Sequence, residues 1–340
     1  MGKNEQKVAL VTGSAGFIGY HIARKLLNNG WKVIGVDCIS DYYDVKLKQD
    51  REKQLLQYKR YKSFHRGIEE PGFLVELFEQ EQPQIVIHLA AQAGVRYSID
   101  NPRAYMNTNI MGTFELLEAA RLTKPAHVLI ASTSSAYGAN ENMPYKESQR
   151  ADHQVSIYAA TKKSTENLAH SYAHLFNIPT TIFRFFTVYG PWGRPDMALF
   201  RFTKAILNEE PIDVYNYGNM KRDFTYIDDL IEAIYQLVGH PPATPSRTEV
   251  SKNTNLSPVA PYRLINIGNS KPVNLGDFVA AVETALGRKA IKNLLPLQDG
   301  DVLATWADTK ELEELINFSP QVQVAEGVHR FVDWYKNYYQ

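Results

Sequence analysis

The opening of the chain constrains its fold more than any other stretch. Val8 to Thr12 is a short β-branched apolar run, Gly13, Gly16 and Gly19 follow at intervals of three, and Phe17 to Asn29 carries apolar residues at helical spacing before Gly30. That order reads as strand, tight turn, helix and stop. In this setting glycines let the backbone turn sharply and approach a pyrophosphate closely, while the helix start at Phe17 and Ile18 offers unpaired N–H donors and a positive dipole end. The next strand, Lys32 to Val36, leads into Asp37, 18 residues after Gly19, where a carboxylate accepts hydrogen bonds from both hydroxyls of an adenosine ribose. No Arg or Lys follows Asp37 directly, so a 2′-phosphate would meet like charge with no cation to offset it. The expected cofactor is NAD rather than NADP.

Further strand-like runs at Ile85 to Leu89, His127 to Ala131 and Thr180 to Phe185 alternate with helical segments, which predicts an α/β fold with a doubly wound parallel sheet. Beyond about residue 190 the elements become shorter and mixed, with helices expected over Ala198 to Asn208 and Leu275 to Leu286. The expected division is a cofactor domain over 1–190, with a contribution from about 224–240, and a smaller mixed α/β substrate lobe over 191–340. Residues 239–262, rich in Pro, Ser, Thr and Asn, read as a solvated loop.

The 37 basic and 37 acidic residues cancel, and no long block of like charge exists, which excludes a broad grip on nucleic acid or an acidic membrane surface and points to a small-molecule partner. A single cysteine, Cys38, rules out an internal disulfide and a cysteine-built zinc site and suits a reducing compartment. His170 and His174 lack the Glu pattern of a metalloprotease, so no metal is expected. The polar N-terminus runs straight into the first strand; neither a signal peptide nor a membrane span is expected, and the cytoplasm is the expected location.

Tyr158 and Lys162 lie four residues apart on a segment that reads as helix through Glu166 and Ala173, so both occupy one face. Alone, such a pair is ordinary helix surface. The upstream stretch from Leu129 to Gly138 changes the reading, because a strand there runs out into hydroxyls at Ser132, Thr133, Ser134 and Ser135, at the sheet edge where doubly wound folds bind ligands. A tyrosine becomes a base near neutral pH when cations favour its phenolate; a shift of about three units needs roughly 4 kcal/mol, within reach of a lysine and a nicotinamide cation in a dry site.

Together with Thr12-Gly-Ser-Ala-Gly-Phe-Ile-Gly19, the stretches His88-Leu-Ala-Ala-Gln-Ala-Gly-Val-Arg96, Asn107-Thr-Asn-Ile-Met-Gly-Thr113, Tyr158-x-x-x-Lys162 and Arg184-Phe-Phe-Thr-Val-Tyr-Gly-Pro-Trp-Gly-Arg-Pro-Asp-Met197 make nearly the whole chain resemble the extended short-chain dehydrogenases/reductases, specifically the nucleotide-sugar epimerases. The last stretch departs from the Asn-Pro form typical of UDP-galactose epimerases and resembles the branch that acts on UDP-glucuronate. The resemblance implies a Rossmann fold, tightly bound NAD, a UDP-sugar substrate and 4-epimerisation through a transient 4-keto sugar. It implies Thr133, Tyr158 and Lys162 as hydroxyl partner, base and activator, with Ser134 and Ser135 in the same pocket. It places Ile68, Ala90, Ala91, Gln92, Asn109 and Phe185 at the cofactor, and Arg222, Tyr215 and Asp301 at the substrate's nucleotide; Arg96 is a further substrate-binding candidate, as a positive spot for the anionic ligand. Thr187 and Arg194 are the candidates for holding a sugar carboxylate, since a hydroxyl and a guanidinium together satisfy one. A homodimer is implied, built on Thr113 to Leu122 and Tyr158 to Phe176. One departure is Gly67-Ile68, where the family commonly has Asp before the apolar residue at the adenine. On the same scaffold, UDP-glucose epimerisation and UDP-glucuronate decarboxylation are the alternatives; a catalytically silent NAD-binding regulator is the alternative of another class.

Overall fold

The computed structural model describes residues 6–244, 255–297 and 302–340. Its strands are β1 (Val8–Thr12), β2 (Lys32–Val36), β3 (Tyr61–Phe64), β4 (Ile85–His88), β5 (His127–Thr133), β6 (Thr180–Phe185), β7 (Thr187–Tyr189), β8 (Pro211–Val214), β9 (Lys221–Tyr226), β10 (Tyr262–Ile267), β11 (Pro272–Asn274), β12 (Ile291–Leu294) and β13 (Ala304–Thr305). Seven of them form one sheet in the order β10-β6-β5-β4-β1-β2-β3, all pairs parallel. β1, β5 and β6 are buried along their whole length, as parallel strands covered on both faces are. One core joins the helices Phe17–Asn28 and Ile227–Val238; a second, on the opposite face, joins Phe73–Glu81, Gly112–Thr123 and Ile157–Phe176. Strand order reverses between β1 and β4, which opens a crevice beyond their carboxyl ends, above Thr12 and His88.

The later part of the chain builds a small sheet in which β9 pairs with β7, β11 and β13, beside a β8–β12 pair. Its core is aromatic: Phe224 stacks on Phe278 at 4.0 Å, and Phe200, Phe331 and Trp334 pack the last helix, Val324–Tyr339, onto the rest. The helices expected near 198–208 and 275–286 are present as Ala198–Leu207 and Leu275–Leu286.

Two strands of the large sheet went unpredicted. β3 is a four-residue edge strand with only one buried position, too short and too polar to register as a run. β10 follows the Pro/Ser-rich stretch read as a solvated loop, and that reading needs correction. Residues 245–254 lie outside the described residues, but Asn255, Ser257 and Ala260 are buried, Leu256 bridges to Arg263, and the Ser257 hydroxyl bonds His170 at 2.8 Å. Turn-forming composition predicted bends correctly there but not that the bends dock on the sheet edge.

Candidate active site

The crevice holds a long cleft. At its base Gly13 has φ +70°, and a Cβ there would come 2.8 Å from the Ala90 nitrogen; a Cβ on Gly19 would come 1.9 Å from the Gly13 oxygen. Only glycines let the turn after β1 close against the start of the following helix and the segment after β4. Gly13, Gly16, Phe17, Ile18 and Gly19 line the cleft, as do Asp37, Ile68, Ala90, Ala91, Gln92 and Phe185. The Asp37 carboxylate accepts from the Ala15 and Ile39 N–H groups at 3.0 and 2.8 Å. Burial pushes its pKa up, against the Ile39 N–H, Lys48 and the Ala15 N–H. A cradle that admits no side chain, with a carboxylate at its far end, fits a dinucleotide.

Asn109 is the cofactor candidate that does not line the cleft. It is buried behind the wall, with Oδ1 accepting from the Gln92 N–H (2.8 Å) and Nδ2 donating to the Gln92 carbonyl (3.1 Å) and Thr161 Oγ1 (2.9 Å). Thr108 faces the cleft instead. A π-helical turn over Met106–Met111 sets this register, which sequence spacing does not reveal.

Tyr158 and Lys162 come from the helix Ile157–Phe176, started by the Ser156 side chain accepting from the Ala159 N–H and ended by Asn177 in the left-handed region. Both line the cleft beside Thr133, the last residue of β5. Burial raises the Tyr158 pKa, while hydrogen bonding with Thr133 and the Arg194 cation work the other way. Arg194 is thus a further cation at this phenol, in the same cleft as Lys162. Lys162 is buried and its pKa is brought down to about 8 by desolvation, with Glu166 opposing the fall. Glu166 itself resists burial through Arg184, whose Nε and Nη2 donate to it at 2.8 and 2.7 Å, so its carboxyl stays below the usual range. Ser132 donates to the same carboxylate at 2.6 Å, so its proton is engaged there. Ser134 and Ser135 turn away in the short helix Ser134–Tyr137 and line neither cleft.

A second cleft meets the first at Tyr42 and Met197; Arg194 lines the first, 5.9 Å from the Tyr42 ring. Thr187, Arg96, Tyr215 and Arg222 line it, and the Arg96 guanidinium sits 5.0 Å from the Tyr215 ring. Asp301 lies outside the described residues. Arg194 is paired with Asp196, its Nε donating to Oδ1 at 3.0 Å, and Tyr42 leans on the pair.

The sequence profile of the NAD dependent epimerase/dehydratase family matches residues 9–257. The probable UDP-glucuronate 4-epimerase of Rhizobium meliloti (strain 1021) is 52% identical over 332 residues, 97% of this chain and 97% of that protein. The crystal structure of the UDP-glucuronic acid 4-epimerase of Bacillus cereus, in complex with UDP-glucuronic acid and NAD, superposes with a TM-score of 0.86 at 34% identity, covering 98% of this chain and 100% of that one. A UDP-glucose 4-epimerase of Thermotoga maritima gives a TM-score of 0.84 at 27% identity, over 98% and 100% of the two chains. The chain belongs to the NAD-dependent epimerase/dehydratase family.

Sequence reasoning missed several residues of this epimerase/dehydratase site. Tyr42, Tyr43, Lys48 and Glu69 line the first cleft, and Asp196 and Arg201 the second. The aromatic pair in Asp41-Tyr-Tyr-Asp44 carried a usable signal, since two tyrosines in a loop just past the ribose-side acid sit at the ligand edge of the sheet. Arg201 carried none, reading as one more cation on a surface helix.

Proposed function

We propose that the chain interconverts UDP-glucuronate and UDP-galacturonate, using NAD that stays bound. The observation that carries this is the meeting of Tyr158, Thr133 and Lys162 with Arg194 where the cofactor cleft joins an arginine-lined cleft able to take a nucleoside diphosphate. When bound, NAD takes a hydride from sugar C4 and later returns it. Tyr158 accepts the proton of the 4-hydroxyl and gives it back to the 4-keto oxygen, with Thr133 holding that oxygen in line. Lys162, kept protonated by Glu166, adds positive charge to the cleft floor. Arg96 and Arg222 hold the diphosphate and Tyr215 the uracil, leaving the sugar ring free to turn; Asp301 is assigned to the ribose. A 4-keto uronic acid is a β-keto acid that readily loses carbon dioxide, so its carboxylate must be gripped during the turn. Thr187 and Arg194 are assigned that grip, with Asp196 yielding its partner to the substrate.

Residues 1–190 with about 224–240 form the cofactor unit in this reading, joined by 262–267 through the β10–β6 pairing, and the rest of 191–340 the substrate lobe. No helix among the described residues is long and apolar enough to cross a membrane; together with the single cysteine this supports a cytoplasmic setting. The functional unit is a homodimer. Purified protein incubated with UDP-glucuronate and no added NAD should yield UDP-galacturonate. Ready conversion of UDP-glucose with UDP-glucuronate untouched would remove the carboxylate assignment, and a pentose product would mark a decarboxylase.

A further inference from the structure

Arg51, on the helix Val45–Leu55, lines neither cleft and is fully buried. Among the described residues no carboxylate pairs with it. Its guanidinium is met instead by neutral oxygens: Nη1 donates to the Ala15 carbonyl (3.0 Å) and the Tyr43 hydroxyl (2.8 Å), Nη2 to the carbonyls of Trp192 (2.6 Å) and Gly193 (3.3 Å). These acceptors belong to the glycine turn, the loop after Asp37 and the loop from Gly190 to Arg194. Each of the three contributes to the wall of the first cleft, through Gly16, Tyr43 and Arg194.

The third loop holds a backbone it would not adopt unaided, with φ of +144° at Gly190 and +62° at Trp192. His21, also buried, bonds the Pro191 carbonyl at 3.0 Å, so consecutive carbonyls from 191 to 193 are all anchored from the cofactor side. Moving any one wall strips donors from these carbonyls and leaves a buried cation short of acceptors, so the three walls resist opening singly. An epimerase that reoxidises its cofactor in place needs such a joint, because a reduced dinucleotide lost in mid-cycle strands a keto sugar.

We propose that Arg51 is a positioning residue that ties the three walls together and keeps NAD in the cleft from one turnover to the next. The inference rests on the retained-cofactor part of the proposed function. Arg51→Lys retains the charge but not the fork that spans three segments. The readout is NAD content of denatured holoprotein, by absorbance, after timed dilution into buffer containing an NAD-hydrolysing enzyme. Arg51→Lys should lose NAD at least about tenfold faster than wild type, the scale of losing charged hydrogen bonds, and saturating added NAD should restore its turnover. Leu312→Ala, a core truncation remote from the clefts, should lose NAD at the wild-type rate. Wild-type retention in Arg51→Lys, equal acceleration in Leu312→Ala, or no rescue by NAD would each overturn the proposal. Wild-type protein carrying no NAD would overturn retention and the clamp together. NAD-loaded protein inert toward UDP-glucuronate would sink only the substrate reading, with the clamp still decided by the release rates.

Discussion

At the adenine end of the cofactor cleft a single residue exchange has a neighbour that answers it. A Cβ on Gly67 would fall 2.8 Å from Oε1 of Glu69, so the Glu69 carboxylate fills the space in which an aspartate at 67 would begin. Glu69 lines the cleft there. If it replaces the missing acceptor, Glu69→Ala should weaken NAD binding several-fold, about 1 kcal/mol for one hydrogen bond, and the pair Gly67→Asp with Glu69→Ala should recover most of it in an NAD titration. No recovery would leave Glu69 a bystander. The same scale shows what sequence can and cannot tell. Tyr158 and Lys162 were legible because helical spacing fixes a shared face. Thr133 was not separable from Ser132 by spacing, since what separates them is Glu166, 34 residues from Ser132 in sequence and 2.6 Å in space.

At the scale of elements, β1, β2 and β6 were legible to the residue because each is rich in β-branched and apolar residues and lies beside a Gly or Pro break. β10 was not, since its place beside β6 depends on a pairing partner 82 positions earlier in register. The helices Gly112–Thr123 and Ile157–Phe176 pack on one another yet leave Leu122 and Leu175 exposed at 52% and 68%, with Met111 just before the first at 47%. The proposed dimer, built on these two helices, would cover them. Sedimentation at micromolar concentration should give twice the 38.6 kDa chain mass, and Leu175→Asp should shift the balance toward monomer. A monomeric wild type would refute the dimer.

Across the whole molecule, the proposed cofactor and substrate lobes meet around Asn266 of β10, whose N–H donates to Glu147 Oε1 at 2.7 Å and whose side chain donates to the carbonyls of Tyr145 and Asp308. Burial pushes the Glu147 carboxyl up to about 7, with the Asn266 N–H opposing and Glu311 and Asp308 adding to the rise. The folded value lies above the ordinary 4.5, so the folded chain binds the extra proton between the two. Stability from this group is complete below about pH 4.5 and is lost as pH rises to 7. Denaturant unfolding at pH 5 and pH 8 should show Glu147→Gln gaining on wild type by roughly 1–3 kcal/mol at the higher pH; an equal difference at both would remove the assignment. The zero net charge of the chain is repeated locally, since Arg96, Arg201 and Arg222 share one cleft with Asp100, Asp196 and Asp213.

Trp192 gives one of those clefts a voice. Of the chain's four tryptophans, Trp192 and Trp334 touch, their rings 5.3 Å apart, and Tyr338 and Tyr20 close around Trp192 while its carbonyl rests on Arg51. Indole emission follows its contacts and its exposure to water, so the unlabelled protein carries an optical gauge on the cofactor wall, readable in a stopped-flow trace as that wall parts.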